Sequence, residues 1–567
     1  MLKYLKKYWH FCLLAPLFMM GEIAMDLIQP DMMATIVDEG VLKQNLDIVL
    51  HIGIRMILLV LFGGLCGVLS GVFANLASQQ FGNDLRKDLF AKIMKLPFEQ
   101  TDRFSTGSLV TRLVNDVTQI QQMVTMSIRG LVRNSFMFAG GILMLYRQSP
   151  RFALVAACGL PFILFFVVFF LQKASPLFRV VQEKLDGVNN CLQETTAGAR
   201  VVKAYVREEQ ELERFDTANN ALCNINLRVQ SLLAFMMPCM NIILNLCIVA
   251  ILYVGGYTMR TSDGISSGQI MAAITYMSMI LHGVTFMANI FQTFTRAKAS
   301  ADRVNEVLNC GESLPDGLIT PPEPNGELEF RHVSFAYPNH STNVLEDISL
   351  SIHKGETLGV IGATGSGKST LVNLIPRFYD VTAGQVLVDG VDVKDYPVQE
   401  LRERIAIVMQ RAELYSRPIE ANIRWGRDEA TPWDIKRAAE IAQADDFICH
   451  TAQGYYTMVT ENGHSLSGGQ KQRISIARSI LKNAEILIFD DTTNALDLRT
   501  ESRLYQALEK ECPSTTKVII AQRIASIKNA DRIAVLDGGR IVAYGTHDEL
   551  LRESSVYQDI YASQLKQ

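Results

Sequence analysis

The sequence lacks both the paired cysteines of a metal or disulfide framework and the basic excess of a nucleic-acid-binding protein. Its 10 Cys include no C-x-x-C pair, and four of them lie within apolar stretches. We therefore expect reduced thiols, with neither a disulfide framework nor a zinc site. The 54 Lys+Arg are outnumbered by 58 Asp+Glu, for a formal net charge of −4. This balance excludes the electrostatic footprint of nucleic-acid binding.

Charged residues as a whole are sparse, whereas apolar residues are abundant. Of the 567 residues, 20% are charged and 49% are hydrophobic, which excludes intrinsic disorder. Two stretches, 56–77 and 152–171, contain no charged residue over 22 and 20 positions. At a rise of about 1.5 Å per residue, a helix of either length crosses a hydrocarbon core of about 30 Å. Both stretches therefore predict membrane-spanning helices.

Weaker apolar stretches bring the predicted number of spans to six; they lie at 9–37, 134–146, 231–259 and 270–294. The regions 82–118 and 173–230 carry six and eight Lys/Arg, more than the outer loops together. This bias predicts that both regions and the N-terminus are cytoplasmic. Because the two regions keep helical periodicity, the helices are expected to project into the cytosol. Breakers then predict a transmembrane domain at 1–308, a linker at 309–326 and a second domain at 327–567.

The second domain contains a glycine-rich loop in a strand-to-helix context. A strand pattern, TLGVI at 357–361, leads directly into GATGSGKST at 362–370. Glycines allow such a loop to turn its N–H groups toward a phosphate, and the following helix adds its dipole. The predicted nucleotide contacts are Gly362, Thr364, Gly365, Ser366, Gly367, Lys368, Ser369 and Thr370. The Ser369 hydroxyl is also a predicted magnesium ligand.

A buried strand pattern, ILIFD at 486–490, ends in a second predicted magnesium ligand, Asp490. A carboxylate at the end of a strand beside such a glycine-rich phosphate-binding loop, or P-loop, is the arrangement that orients Mg²⁺. Together the two motifs predict binding of ATP or GTP. Between them lies LSGGQ at 466–470, about 20 residues before the ILIFD strand.

With these three motifs, the sequence resembles the ATP-binding cassette (ABC) superfamily, and its whole length resembles the six-helix (type IV) exporters. The resemblance implies six transmembrane helices with long cytoplasmic extensions, followed by an α/β P-loop ATP-binding cassette that binds ATP and Mg²⁺. It also implies nucleotide contacts across a dimer from Ser467, Gly468, Gly469 and Gln470. By the same resemblance Tyr337 stacks on adenine, Gln410 is the Q-loop metal ligand, and Glu461 is the X-loop acid.

Two intracellular loops and a D-loop complete the resemblance. Segment 187–215 is similar to the loop that docks on the nucleotide domain of the opposite subunit, and 104–120 to the first coupling region. Asn494–Asp497 is similar to the D-loop. A multi-pass protein of the bacterial plasma membrane with a cytoplasmic nucleotide domain is therefore implied.

Two positions depart from the family pattern at the end of the site where the terminal phosphate is expected, called here the phosphate pole. Asp491 stands where the family has the catalytic glutamate, and Gln522 stands where it has the switch histidine. The Asp491 carboxylate is one methylene short as a base, and Gln522 cannot carry an imidazolium charge. The combination resembles the degenerate-site subunit of heterodimeric bacterial multidrug exporters. It implies a partner half-transporter with the consensus Glu and His. The alternative is that both changes are tolerated drift.

The only indications of the substrate in the sequence are charged residues and methionines within the predicted spans. Glu22 and Asp26 lie one helical turn apart in the first span, so they share a face and are candidate substrate contacts. Pairing with a base inside the bundle is the alternative. Methionines of the last two spans favour a lipophilic or drug-like small molecule as substrate; they are Met236, Met237, Met240, Met277, Met279 and Met287.

Other functions stay open at this point. The chain could be an ATP-binding membrane sensor or regulator without net transport, or a homodimeric exporter of lipid or peptide. A soluble DNA-repair ATPase is excluded by the predicted spans, and by the absence of a coiled-coil insertion between the P-loop and LSGGQ.

Overall fold

The structure is a computed structural model that describes residues 2–260, 265–311, 316–319, 323–337, 342–460, 463 and 465–565. The chain separates into two units. The first comprises Met1–Met94 and Thr106–Asn309, and the second comprises Lys95–Ser105 and Cys310–Gln567. The limits of the predicted linker stay a prediction, because 312–315 and 320–322 fall outside the described residues.

Long helices build the first unit. In chain order the helices up to residue 308 are α1 (Leu2–Lys7), α2 (Trp9–Thr35), α3 (Leu46–Met94), α4 (Phe98–Arg103), α5 (Thr106–Thr111), α6 (Val117–Thr125), α7 (Val132–Gln148), α8 (Pro150–Ala197), α9 (Ala199–Ala204), α10 (Glu208–Arg260) and α11 (Ser267–Leu308). Of these, α4 belongs to the second unit. Short π-helical segments at Ile36–Val41, Arg112–Asp116 and Met126–Leu131 continue the neighbouring helices.

The six predicted spans all fall within helix. Among the residues that the structure describes, four helices are long and apolar enough to cross a membrane: Trp9–Val41, Leu46–Met94, Pro150–Ala197 and Glu208–Met259. The other two predicted spans lie in the helical run from Thr106 to Gln148 and in α11. With 49 residues, α3 is about 74 Å long at 1.5 Å per residue. It therefore extends well beyond a hydrocarbon core of about 30 Å, as the polar periodic segments predict.

Local sequence explains where α11 begins. Ser266 caps the helix in a capping box with Gln269, which satisfies N–H groups that have no partner within the helix. The Asp38 carboxylate accepts a further N–H from Gly268 at 2.9 Å. Deeper in the bundle, the buried Tyr276 donates its hydroxyl to the Leu27 carbonyl at 2.8 Å.

The second unit is an α/β domain with two sheets. Its strands are β1 (Leu328–Phe335), β2 (Leu345–Ile352), β3 (Thr357–Gly362), β4 (Ala383–Val388), β5 (Val391–Asp392), β6 (Ile405–Val408), β7 (Ile486–Asp490), β8 (Thr516–Ile520), β9 (Arg532–Asp537) and β10 (Arg540–Gly545). Its helices are α12 (Lys368–Leu374), α13 (Val398–Glu403), α14 (Ile419–Arg424), α15 (Pro432–Ile441), α16 (Asp445–Cys449), α17 (Gly468–Leu481), α18 (Leu498–Glu511), α19 (His547–Glu553) and α20 (Ser555–Leu565).

The larger sheet determines where the site lies. Its strand order is β10-β9-β3-β8-β7-β6, and all pairs are parallel except β10 with β9. The smaller sheet, β2-β1-β4-β5, is antiparallel. Alternate residues of β7 enter different cores: Leu487 and Phe489 pack on one face, and Ile486 and Ile488 pack on the other. Because parallel strands end at a common edge, the segments after β3, β8, β7 and β6 are neighbours.

Segment 104–120 and the short helix α4 just upstream of it fall mostly in different units. Helix α4 belongs to the second unit, where Phe98 stacks on Phe378 with 4.1 Å between ring centroids. The predicted segment 104–120 instead lies mostly in the first unit, and Asp116 there accepts hydrogen bonds from Arg303 and Ser300. The role of 104–120 as a coupling region stays a prediction.

Candidate nucleotide-binding site

The P-loop follows β3 and leads into α12. Gly365 and Gly367 have φ values of +85° and +100°, a region that glycine enters without a steric penalty. At Gly362, a Cβ would lie 2.1 Å from the Leu536 carbonyl oxygen. Glycine at these three positions is therefore required by backbone geometry and close packing.

Lys368 lies across the loop that precedes it. Its Nζ donates to the carbonyl oxygens of Gly362 and Ala363 at 2.9 and 2.8 Å. Burial lowers the pKa of the Lys368 ammonium, while the charges of Asp491 and Asp490 oppose that shift. The side chain is thus a partly desolvated cation beside two carboxylates.

Ser369 and Asp490 form the predicted magnesium pair. The Ser369 hydroxyl donates to Asp490 Oδ1 at 2.8 Å. Burial raises the pKa of the Asp490 carboxyl, the hydrogen bond from Ser369 lowers it, and the neighbouring Asp491 raises it. The structure therefore brings together two oxygen ligands of the kind that Mg²⁺ prefers.

Asp491 is held by three side-chain amides. Its Oδ2 accepts from Gln410 Nε2 at 3.2 Å and from Gln522 Nε2 at 2.6 Å, and its Oδ1 accepts from Asn494 Nδ2. The backbone has φ +50° and its N–H donates to the Ile520 carbonyl. The residues predicted to form the Q-loop, the D-loop and the switch thus meet on one carboxylate.

The LSGGQ segment forms the start of α17. The Ser467 hydroxyl accepts from the Gln470 N–H, and the Gln470 side chain accepts from the Ser467 N–H at 2.9 Å. A Cβ at Gly469 would lie 2.8 Å from the Ala495 carbonyl oxygen, whereas nothing lies within 4 Å at Gly468. A 14-residue helix with an open glycine at its N-terminus can receive an anion.

Tyr337 lies beside the P-loop at the end of β1. Its hydroxyl shares a 3.1 Å hydrogen bond with the Thr370 hydroxyl, and its ring contacts Phe335 and Tyr379 edge-on. The predicted stacking on adenine stays a prediction. Glu461, the expected X-loop acid, lies outside the residues that the structure describes.

Sequence reasoning missed one residue that holds the switch segment. Gln564 of α20 donates its amide to the Gln522 carbonyl at 2.8 Å and accepts from the Ile524 N–H at 2.8 Å. No spacing relation in the sequence marks a contact between positions 42 residues apart. Gln564 is therefore a positioning residue for Gln522.

The residues present fit a nucleotide with magnesium. The Ser366 hydroxyl at the base of the loop is buried and has no hydrogen-bond partner among the described residues. The P-loop backbone and Lys368 would hold phosphate, and Ser369, Asp490 and Gln410 would hold the metal ion. Bound magnesium would neutralise phosphate charge during transfer to water.

Comparison with known proteins identifies the family. A family model described as the ABC transporter transmembrane region matches residues 12–284, and a model described as ABC transporter matches residues 345–494. The ABC transporter ATP-binding protein YfiB of Bacillus subtilis (strain 168) is 40% identical over 565 residues, covering 99% of this chain and 98% of the relative. The chain belongs to the ABC transporter family.

Further relatives of this ABC transporter include an ATP-dependent lipid A-core flippase of Syntrophus aciditrophicus (strain SB). It is 34% identical, over 94% of this chain and 88% of the relative. The solved structure of a bacterial Atm1-family ABC exporter with ATP bound has a TM-score of 0.81 at 24% identity, covering 99% of this chain and 98% of that one. The chain therefore has an N-terminal membrane domain and a nucleotide-binding domain in the exporter fold.

The candidate substrate acids of this ABC transporter are paired. Arg133 donates to Glu22 Oε1 at 2.7 Å and to Asp26 Oδ2 at 3.4 Å. This contact favours the pairing alternative over a role as free anions. Met240 and Met277 are buried in the helix packing, so they do not offer an adaptable lining. The side chains of Met237 and Met287 lie outside the described set.

Proposed function

We propose that this chain is one half of an ATP-driven exporter in the bacterial plasma membrane, with its nucleotide domain in the cytoplasm. The observation that carries the proposal is the convergence of Lys368 and Ser369, which follow β3, with Asp490 at the end of β7, two parallel strands on either side of β8. That convergence occurs in a chain that also carries the ABC transmembrane region. Small-molecule substrates and membrane lipid are its expected ligands.

Each residue has a stated role in this proposal. Lys368 and the P-loop N–H groups bind phosphate, while Ser369 and Asp490 orient the metal. Gln410 connects the metal side to Asp491, since its amide already donates to that carboxylate. Asp491 would orient water, and Gln522 would hold both Asp491 and the terminal phosphate.

The test is transport in vesicles. Reconstituted with its partner, the chain should show substrate-stimulated ATP hydrolysis and ATP-dependent movement of substrate. The Lys368→Ala variant should lose both activities, whereas Lys528→Ala, a lysine outside the site, should keep them. Absence of ATP-dependent movement across a broad substrate panel would contradict the exporter and favour an ATP-binding sensor or regulator.

We further propose that the chain works in a heterodimer and forms the slower of two ATP sites. Three amide donors occupy three of roughly four lone-pair positions on Asp491, which leaves little capacity for accepting from water. A carboxylate that is one methylene short and already engaged is a poor general base. The partner would carry the consensus Glu and His. ATP would then be hydrolysed mainly where the partner's P-loop and magnesium-binding residues meet Ser467 of this chain.

A homodimeric lipid exporter is the second candidate. It is favoured by the relatives whose names state lipid A-core flippase activity. The two candidates differ in what the purified chain does alone: a homodimer would hydrolyse ATP at full rate without any second chain. The ATPase rate of the chain purified alone, compared with its rate when it is co-expressed with the product of the neighbouring reading frame, distinguishes the two candidates.

A further inference from the structure

A polar cavity of about 720 Å³ lies in the first unit among α3, the helical run from Thr106 to Gln148, and α11. Two arginines line it, Arg129 and Arg133, and most of its other described lining residues are amides or hydroxyls such as Gln79 and Gln122. None of the described lining residues is acidic. The cavity therefore offers positive charge together with neutral hydrogen-bonding groups.

The two arginines differ in their partners. Arg133 is engaged by Glu22 and Asp26. Within the part of the chain that the structure describes, Arg129 makes neither an ion pair nor a hydrogen bond. Arg129 is thus the cavity's available cation.

A glycine lets the Arg129 guanidinium pack closely against α3. A Cβ at Gly71 of α3 would lie 3.3 Å from the Arg129 guanidinium, so the absent side chain lets the guanidinium lie against that helix. Gly71 lies within the stretch 56–83 of α3, which contains no charged residue. A guanidinium at such depth is costly unless a partner compensates its charge, and intramembrane charges mark substrate pathways.

Arg129 also borders an apolar surface. It lines a second cleft of about 510 Å³ along α3, with Val68 and Val72 in its wall. Glu22 lines the same cleft; its Oε1 accepts from Arg133, while its Oε2 is buried and has no hydrogen-bond partner among the described residues. Arg129 therefore lines both a cavity whose side chains are mostly polar and a cleft whose wall includes two valines.

We propose that Arg129 binds the negative head group of an amphipathic substrate, whose apolar part lies along Val68 and Val72. The head group would occupy the polar cavity and receive hydrogen bonds from its amides. This inference deepens the proposed export function and rests on it. Glu22 and Asp26 as substrate contacts would instead favour a cation, but Arg133 donates to both of those carboxylates.

Binding to the assembled transporter in lipid nanodiscs tests the inference without turnover. The probes share one dodecyl chain: dodecyl phosphate, dodecyl maltoside and dodecyltrimethylammonium, with inorganic phosphate as a fourth probe. Dodecyl phosphate should bind about ten-fold tighter than the neutral probe, as expected for one charged hydrogen bond. Equal affinities, or a preference for the cation, would overturn the inference. Equal binding of inorganic phosphate would overturn its amphipathic part.

Variants locate the effect. Arg129→Gln should remove about ten-fold of the affinity for dodecyl phosphate and leave dodecyl maltoside binding unchanged, while Arg129→Lys should retain part of the preference. Arg147→Gln is the matched control, since Arg147 is exposed on the same helical run and does not line the cavity. An unchanged preference in Arg129→Gln would refute the assignment. If that variant does not fold, Arg129→Lys and the wild-type series still decide.

The outcomes also separate this inference from the export function. Selective binding of the anion without ATP-driven movement would contradict export and support the anion site. Export without any charge preference would support export and contradict the anion site.

Discussion

At the scale of single residues, Asp490 shows a conflict between stability and function. Burial and the neighbouring Asp491 raise the pKa of its carboxyl, against the hydrogen bond from Ser369. A carboxyl whose pKa is higher in the folded state than in the unfolded state binds its proton more tightly when folded. The stabilisation that the protonated Asp490 carboxyl contributes is therefore fully present at pH values below its unfolded-state pKa. It is lost as the pH rises through its raised folded-state pKa. At neutral pH, ionised Asp490 destabilises the domain that it serves.

Asp490→Asn should therefore stabilise the nucleotide-free chain. We expect its thermal midpoint at pH 7 to rise by a few degrees, and we expect the further rise that Mg²⁺ and ATP cause in the wild type to disappear. Both quantities are measured by thermal unfolding of the full chain with and without the ligands. Asp497→Asn is the control: the pKa of Asp497 is lowered by its hydrogen bonds to Thr500, so this change should not raise the midpoint. A lower midpoint for Asp490→Asn would contradict the argument.

The two unusual residues at the phosphate pole are in direct contact, which suggests that they act as a pair. Gln522 donates to Asp491 at 2.6 Å. Asp491→Glu alone would push the carboxylate into its amide partners, and Gln522→His alone would remove the amide that fits the shorter side chain. The double variant should raise turnover at this site by on the order of ten-fold over either single variant.

Turnover for this comparison is measured with the partner's catalytic Glu changed to Gln, so that the rate reports this site alone. Asn494→Ala serves as a control that removes one amide without changing either member of the pair. Additive effects of the two single changes would show that Asp491 and Gln522 are independent, as drift would produce.

At this scale the sequence predicted the chemistry but not the contacts. Asp490, Ser369 and Lys368 follow from motifs because phosphate and metal binding require fixed residue types at fixed spacing. The amide contact from Asn494 and the bracing by Gln564 depend on tertiary packing, which no local pattern encodes. The sequence left pairing of Glu22 and Asp26 with a base as an alternative, but it could not name Arg133 as that base, since 111 residues separate Glu22 from Arg133.

At the scale of elements, the turn that follows the short helix α9 exposes large apolar side chains. Helix α9 joins two helices of 48 and 53 residues, and next to it Tyr205 and Val206 are 74% and 81% exposed. Val206 has φ +52°, an unfavourable conformation for a β-branched residue. Exposed apolar side chains on a strained turn are typical of a docking surface. This agrees with the expected role of 187–215 in contacting an opposite subunit.

Tyr205→Asp should therefore uncouple transport from ATP binding. We expect substrate stimulation of ATPase activity to fall several-fold in the assembled transporter, while nucleotide binding by the isolated chain stays unchanged. Trp433→Asp is the control, because Trp433 on α15 is comparably exposed at 64% but belongs to the nucleotide-binding domain. Unchanged stimulation in Tyr205→Asp would show that this turn does not transmit closure.

The elements themselves were largely predictable. Uncharged runs marked the two strongest spans because the segment of a helix that meets lipid must be mostly apolar, and a short continuous apolar run marked β7, which is buried at all five positions. The π-helical segments were not predicted, since an extra residue in a helical turn leaves hydrophobic periodicity nearly intact. Helix α4 was missed because six residues are too few to show a period, and its stacking on Phe378 is a tertiary contact.

At the scale of the whole molecule, one chain provides only half of each composite ATP site in the proposed dimer. In a head-to-tail arrangement the P-loop and Asp490 of this chain face the partner's LSGGQ segment. Ser467 of this chain faces the partner's P-loop and magnesium-binding residues. The capping box at Ser467 is complete, whereas Asp491 is already engaged by three amides. This chain would therefore supply an intact LSGGQ segment to the site that hydrolyses ATP rapidly (the productive site). The site built on its own P-loop would hydrolyse ATP slowly.

The asymmetry predicts unequal effects of equivalent changes. Replacing the partner's catalytic Glu with Gln should nearly abolish ATP turnover, whereas Asp491→Asn here should lower it only modestly, because the amide contacts already limit that carboxylate as a base. Ser467→Arg should be severe, since a long cation at the start of α17 blocks phosphate contact at the productive site. Steady-state ATPase rates of the three assemblies decide the matter. Comparable losses from Asp491→Asn and the partner's Glu→Gln would refute the asymmetry, as would full activity of this chain purified alone.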